Sequence, residues 1–421
     1  MLKNYLKITL AVLKRRKFFT FISLFGISFT LLVLIVVTAF LEHLFAPGYP
    51  ELKGDRILYV TRMTLRDTQK GYMSGSNISY KLIKNYVEKL TDVELVGIAT
   101  EINSINAYTN HQKIKLQYCF TDGNYWQIND FDFVEGKSYT NQNLANNDYV
   151  AVINEDTRDR YFGKGIPAVG KTLEVNNITY RIIGVVRGCP IFRRFTSADV
   201  FLPYTTTKSD YKSAPLMGPF AALILAKNTN DLPRIKEEFQ SLLTKVTLND
   251  MKQGDYQPDQ LTCHADTFLG SLLYNLKHTF GIEGDGDSAI VYFYLVLVGF
   301  ALLFMSLPAL NLVNINLSRI MERASEIGIR KAFGASTKTL TMQFVIENVI
   351  ITLLGGLLSL LFSEALLFYI NQSGLIPYID LVINFKVFLI AIAISVVFGL
   401  LSGVYPAWRM SKLQIVEALK Q

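Results

Sequence analysis

The sequence predicts a membrane protein with four transmembrane α-helices, one before and three after a large mixed α/β extracytoplasmic domain. Three observations carry that reading. There are four long apolar runs, a polar and turn-punctuated block between the first two, and basic residues gathered beside the runs. At 421 residues, half of them hydrophobic, the chain is long enough for more than one folding unit.

Residues 1–17 hold Lys3, Lys7, Lys14, Arg15, Arg16 and Lys17 with no acid, and read as a cytosolic basic amphipathic segment. The first transmembrane helix is expected over 18–40, FFTFISLFGISFTLLVLIVVTAF, which lacks any charge. Such a run makes roughly 34 Å of helix, against a hydrocarbon core of about 30 Å. It is too long for a secretory signal, and the following LEHLFAPGYP offers no convincing small-x-small cleavage site, so it reads as retained. Residues 41–287 form the extracytoplasmic block. The second helix is expected over 288–318, a cytosolic elbow over 319–339, the third helix over 340–370 and the fourth over 385–408, with a cytosolic tail at 409–421.

Charge sets the orientation. The elbow carries Arg319, Arg323, Arg330, Lys331 and Lys338, and the tail carries Arg409, Lys412 and Lys420. The loop between the third and fourth runs has Asp380, with Lys386 just inside the fourth run. Both termini in the cytosol satisfy this pattern. Residues 41–287 carry 27 Lys and Arg against 29 Asp and Glu, a net of −2, while the rest of the chain is +9. The basic charge therefore lies against anionic lipid, which argues against a nucleic-acid partner.

The three cysteines, Cys119, Cys189 and Cys263, all fall in the outer block, where one disulfide can form and one thiol is left over. His43, His111, His264 and His278 show no metal-ligand spacing. Gly165 to Thr172 reads GIPAVGKT, a letter-for-letter match to the phosphate-cradling G-x-x-x-x-G-K-T loop. A working loop of that kind follows a buried strand and opens a helix. Here the preceding EDTRDRYFGK is charged and helix-like. The following TLEVNNITYRIIGVV alternates about Asn176-Asn177 as a β-hairpin. The match is a decoy, on the side of the membrane where ATP is not supplied.

Glu347 and Glu364 lie within the third run, where structural packing or interfacial placement explains them better than a proton relay. Gly355-Gly356 in the same run suits close helix approach. In the elbow, SRIMERASEIGIRKAFGAS, Ile320, Ala324 and Ile327 make one apolar stripe, and Glu326 precedes Arg330 by one helical turn. Gly334 is placed to end a helix in the left-handed conformation, and Ser336 to cap the next.

EIGIRKAFGAS closely resembles the E-I-G-[IL]-R-[KR]-A-[LMF]-G-A motif of the MacB/FtsX-type ABC transporter permeases. The C-terminal GVYPAWRMSKLQIVEALK is similar to that family's ending, with Ser411 and Val416 standing near positions where it often has Ala and Pro. YLKITLAVLKRRKFFTFISLFGISFTLL resembles its basic lead-in. TDGNYWQINDFDFVEGKSYT and VINEDTRDRYFGKGIPAVGKTLEVNNITYRIIGVV resemble the MacB-type periplasmic core domain. The resemblance is weakest over 204–287, which reads as loops with one helix near PRIKEEFQSLLTKV.

The resemblance implies a permease subunit in the cytoplasmic (inner) membrane that works with a separate cytosolic ABC ATPase. It implies a second permease copy or paralogue, and an adaptor or lipoprotein outside. It implies no catalytic residue, metal or cofactor on this chain, ATP and Mg belonging to the ATPase. The ATPase contact falls on Glu326, Ile327, Gly328, Ile329, Arg330, Lys331, Ala332, Phe333, Gly334 and Ala335. Export of a peptide, drug-like molecule or lipoprotein is the first expectation. Signalling to a cell-wall hydrolase without transport is the alternative.

Overall fold

The computed structural model describes residues 15, 17–109, 112–251, 255–279, 286–322, 329, 333–334 and 336–411. The chain divides into two compact units: Met1–His43 with Tyr294–Leu375 and Asp380–Gln421, and Leu44–Phe293 with Ile376–Ile379.

The first unit opens with α1 (Lys17–Phe45). In the second unit, the strands are β1 (Ile57–Val60), β2 (Met63–Asp67), β3 (Tyr72–Ser76), β4 (Val93–Thr100), β5 (Asn103–Thr109), β6 (Gln112–Thr121) and β7 (Phe133–Gly136). They continue with β8 (Val150–Asn154), β9 (Thr172–Val175), β10 (Ile178–Val186), β11 (Val200–Pro203), β12 (Phe220–Ala226) and β13 (Gln260–Cys263). Between them run α2 (Tyr80–Asn85), α3 (Tyr125–Ile128), α4 (Asn141–Ala145), α5 (Glu155–Phe162), α6 (Leu232–Leu243) and α7 (Phe268–Thr279).

Ten strands form one mixed sheet in the order β1-β12-β4-β6-β11-β8-β10-β7, with β5 on β6 and β9 on β10. β8 and β12 are buried along their whole length, the signature of strands covered on both faces. Alternation along β8 sends Val150 and Val152 to one core and Ala151 and Ile153 to the other. The larger core takes in α6, whose Leu232, Ile235, Phe239 and Leu243 are buried at helical spacing after a proline in its first turn. The expected hairpin is β9–β10, turning at Asn176 and Asn177 with φ of 53° and 60°, the left-handed pair of a tight turn. A separate three-stranded sheet runs β13-β2-β3. Three elements expected as loop, β12, β13 and α7, are regular structure, and β12 lies between β1 and β4 in the large sheet.

The remaining helices are α8 (Gly286–Glu322), α9 (Thr337–Gln372) and α10 (Phe385–Ser411). Among the described residues three stretches are long and apolar enough to cross a membrane, Lys17–Phe45, Asp287–Phe304 and Thr341–Gln372, and Phe385–Val397 is a shorter apolar helix. At 37 residues, α8 is roughly 55 Å long, well beyond a bilayer core. In the first unit Ile27, Leu31, Ile351 and Ala391 form a buried cluster. A Cβ on Gly355 would stand 2.7 Å from Ile27, and one on Gly356 2.8 Å from Ile392, so the glycine pair does admit close helix approach. Some hydroxyls inside the helices donate back to their own turns: Thr30 to the Gly26 carbonyl and Thr352 to that of Asn348, each at 2.9 Å. That keeps them satisfied without water. Glu347 is buried and Glu364 exposed. An apolar cavity of about 310 Å³ between α1, α8 and α10 has no ionisable lining residue.

In the outer unit Asp122 accepts from the Tyr125 amide at 2.8 Å and is buried. Burial pushes its carboxyl up from 3.8 to about 7, against the pull of the Ile98 and Tyr125 hydrogen bonds. A raised carboxyl pKa means the folded state holds the proton more tightly. Its stability is full below the unfolded value of 3.8 and declines as pH rises toward about 7. Asp122→Asn keeps an acceptor for Tyr125 and removes the charge. Thermal unfolding of the variant should therefore be less pH-dependent between 4 and 7, with a gain at neutral pH bounded by roughly 4 kcal/mol.

Candidate functional site

α8 is described as far as Glu322, into the elbow expected over 319–339. Phe333 donates its amide to the Ile329 carbonyl at 3.1 Å, and Gly334 follows with φ of 88°. That left-handed φ ends the turn and is strained for a residue with a Cβ. Ser336 then caps α9, accepting from the Thr339 amide at 3.2 Å. Both the stop at Gly334 and the cap at Ser336 are where the sequence expected them. Ile329 and Phe333, one turn apart, are 51% and 89% exposed. Glu326, Ile327, Gly328, Arg330, Lys331, Ala332 and Ala335 lie outside the described residues, as do most of 1–17 and the end of the 409–421 tail.

The GIPAVGKT stretch follows α5 and enters β9 at Thr172, so it leads into a strand and does not open a helix. Two of its backbone amides are already occupied by a carboxylate. Ala168 and Val169 donate to Glu135 Oε2 at 2.9 and 3.4 Å, and Arg158 holds Oε1 at 3.1 Å. Burial works to raise the Glu135 pKa, but the Ala168 amide, Arg158 and the Val169 amide outweigh it and hold the carboxyl below its usual range. A second anion is repelled from such a nest. Lys171 lies over the Phe162 ring, 4.9 Å from its centroid.

The three cysteines are free and buried. Burial raises all three thiols, Cys189 to about 12, which leaves them unreactive. Among the described residues no group of three or more His, Cys, Asp and Glu is arranged to hold a metal ion.

Two further constellations escaped the sequence reading, and both involve segments that continue into apolar helices. Arg193 and Glu51 form an ion pair at 3.3 Å, with side chains only 6% and 2% exposed. Arg193 Nη2 donates to the Ala46 carbonyl at 2.9 Å, one residue past the end of α1, and Thr196 Oγ1 donates to Glu51 at 2.9 Å. Burial raises the Glu51 pKa, while Arg193 and Thr196 pull against it. The second constellation is Tyr378, which lies between α9 and α10 and has φ of 58°. Its hydroxyl meets the Asp156 and Glu155 carboxylates at the start of α5. Its ring closes over Gly188, where a Cβ would lie 2.1 Å from the ring. Burial and the two carboxylates raise the Tyr378 pKa, so it stays a neutral donor. No local pattern announces either contact, since Glu51 and Arg193 are 142 residues apart.

Two protein families match the chain: MacB-like periplasmic core domain over residues 20–242, and FtsX-like permease C-terminal over residues 298–415. Among curated relatives, the macrolide export ATP-binding/permease protein MacB of Pasteurella multocida is 29% identical, covering 70% of this chain and 42% of its own length. MacB of Escherichia coli K12 is 26% identical, covering 73% and 45%. The uncharacterized ABC transporter permease YvrN of Bacillus subtilis is 26% identical, covering 71% and 68%. The chain thus spans about half the length of the ATP-binding/permease relatives it matches. Of solved structures, the periplasmic region of MacB from Actinobacillus actinomycetemcomitans covers 55% of this chain and 95% of its own, at 14% identity and a TM-score of 0.36. That likeness is too slight to carry a functional argument.

Removing one partner of a buried pair strands the other charge. Arg193→Met should lower stability by about 3–5 kcal/mol near neutral pH, read as thermal unfolding. The loss should shrink in mild acid, where Glu51 takes a proton, and in the Glu51→Gln/Arg193→Met double variant.

Proposed function

This chain belongs to the MacB/FtsX-type permeases of ABC transporters, and from that premise we propose that it turns ATP hydrolysis by a separate cytosolic ATPase into motion of its outer unit. Four transmembrane helices, with α10 as the fourth, and an outer domain between the first two make up the proposed subunit. It lies in the cytoplasmic membrane with both termini inside, and works beside a second copy or a paralogue. Its outer unit meets an adaptor or lipoprotein. Export of a peptide, drug-like molecule or lipoprotein is the favoured role. The relatives named for macrolide export and the match to a MacB-like periplasmic core domain support it over signalling to a cell-wall hydrolase.

The observation that carries the reading is the exposed Ile329–Phe333 turn, stopped at Gly334 and joined to α9 by the Ser336 cap. A phenyl ring almost wholly exposed beside Gly334 is a candidate anchor for a partner's pocket. In this role Glu326, Arg330 and Lys331 supply polar contacts to the ATPase. Ile327, Ala332 and Gly334 pack on it with Ile329 and Phe333, and Gly328 and Ala335 keep the surface low. ATP closure of the ATPase pair shifts the turn, and α8 and α9 carry the shift outward as rigid bodies.

Phe333→Ala should weaken the ATPase complex by about 2 kcal/mol, roughly thirtyfold, with unfolding unchanged. Co-purification through a tag on this chain measures the first and thermal melting the second. Reversing the charges of Glu326, Arg330 and Lys331 together should abolish co-purification and stimulated ATP turnover, and intact turnover would remove the assignment. Tyr378→Ala should leave the ATPase bound and hydrolysing while lowering export per ATP, with Tyr378→Phe retaining part of the coupling. Equal loss of export and hydrolysis would contradict a transmission role for Tyr378.

A further inference from the structure

The link between β10 and β11 displays two adjacent large apolar side chains, Ile191 and Phe192, at 57% and 42% exposure. The loop beneath them is firmly built. Arg193 donates its amide to the Pro190 carbonyl at 3.1 Å, and Ser197 donates to the Arg193 carbonyl at 3.1 Å. Ser197 Oγ donates to the Ile191 carbonyl at 3.4 Å. Cys189, Phe195 and Thr196 are buried under it. An apolar tip held up by a rigid base is surface that water disfavours.

Chain continuity locates that tip. The next residue, Arg193, is bonded to the carbonyl of Ala46, directly after α1, the helix that is apolar over a membrane-spanning length. Gly188, on the other side of the tip, packs on Tyr378 in the short link between α9 and α10. Both flanks are thus tied to segments within a few residues of the ends of apolar helices. Beside the tip, the Arg187 guanidinium lies over the Tyr49 ring, 5.4 Å from its centroid. Asp132 is 3.9 Å from it, and both are more than half exposed. Cation, tyrosine and bare apolar side chains together are the composition of the water–bilayer boundary.

We propose that the Ile191–Phe192 tip inserts into the headgroup–acyl boundary of the outer leaflet, with Arg187 meeting lipid phosphate, so that the outer unit grips the membrane surface directly. The inference requires that α1 crosses the bilayer and does not require the ATPase or any cargo.

The full chain is placed in nanodiscs of phosphatidylcholine with phosphatidylglycerol, carrying a spin label at Phe192→Cys or, separately, at Ile191→Cys. A label at Tyr72→Cys, on the exposed edge strand β3, serves as the water-facing control. The unsubstituted chain treated in parallel measures label on the buried native thiols. Insertion is read as accessibility to oxygen several-fold above that to a water-soluble nickel chelate at 191 and 192, with the order reversed at 72. Chelate-dominated accessibility at both tip positions, equal to that at 72, overturns the proposal. So does exclusion of both reagents, which would mean that protein, such as a second copy of this chain, covers the tip. Because neither side chain is buried within the chain, melting temperatures equal to the parent's confirm that each labelled variant is folded.

Discussion

Arg193 fixes the path of the chain at the start of the second unit. Its guanidinium holds Glu51 and the Ala46 carbonyl at once, closing the chain where it leaves α1. An ion pair this deeply buried adds little net stability, because desolvating both charges offsets most of their attraction. What it contributes is definition. Arg193 bonds both Glu51 and the Ala46 carbonyl, and Thr196 donates to Glu51 as well, so the exit path of the chain is fixed by several contacts at once. The backbone just beyond is wired into the sheet: Phe195 stacks on Tyr59, and its carbonyl accepts from the Tyr125 hydroxyl at 2.9 Å. Tyr59 belongs to β1, the edge strand paired with β12. A displacement of the Ala46 segment must therefore carry the sheet with it or tear open a buried charge. The second alternative costs several kcal/mol, so movement as a body is the cheaper response.

That body is stiff for a simple reason. The large sheet has a core on each face, and single strands such as β8 feed both. Close-packed interiors transmit strain because they deform in discrete steps rather than continuously. Tyr378 adds a second point of purchase. Its segment, Ile376–Ile379, belongs to the outer unit although the helices on either side of it do not. Holding a tyrosine at a positive φ is unfavourable by itself, so the carboxylates of α5 and the space left by Gly188 must select that conformation.

Legibility from sequence followed the range of the interaction. The β9–β10 hairpin is readable because Asn176-Asn177 accepts left-handed φ and the flanking residues alternate, both local facts. The helix stop at Gly334 and the cap at Ser336 are local in the same sense. β12 was not readable as a strand: FAALILA is buried on both faces, so it has no alternation, and the Pro215 to Pro219 stretch before it looks like loop. Arg193, Glu51 and Tyr378 are charged or polar residues whose meaning comes only from partners far away along the chain.

The GIPAVGKT stretch shows the same limit from the opposite side. Its letters satisfy a phosphate loop completely, yet letters specify neither which way amide groups point nor what already fills them. Here the Ala168 and Val169 amides converge, as the motif's glycines allow, but on Glu135 rather than on a ligand. Glu135 is itself held by Arg158 from α5, the helix that in a nucleotide site would have followed the loop instead of preceding it. The anion-binding capacity of the backbone has been spent inside the domain, fastening β7 to the turn that leads into β9. A nest that stabilises one carboxylate in this way becomes part of the fold and ceases to be a site. The same donors that make GIPAVGKT look catalytic instead fasten β7 to the approach of β9.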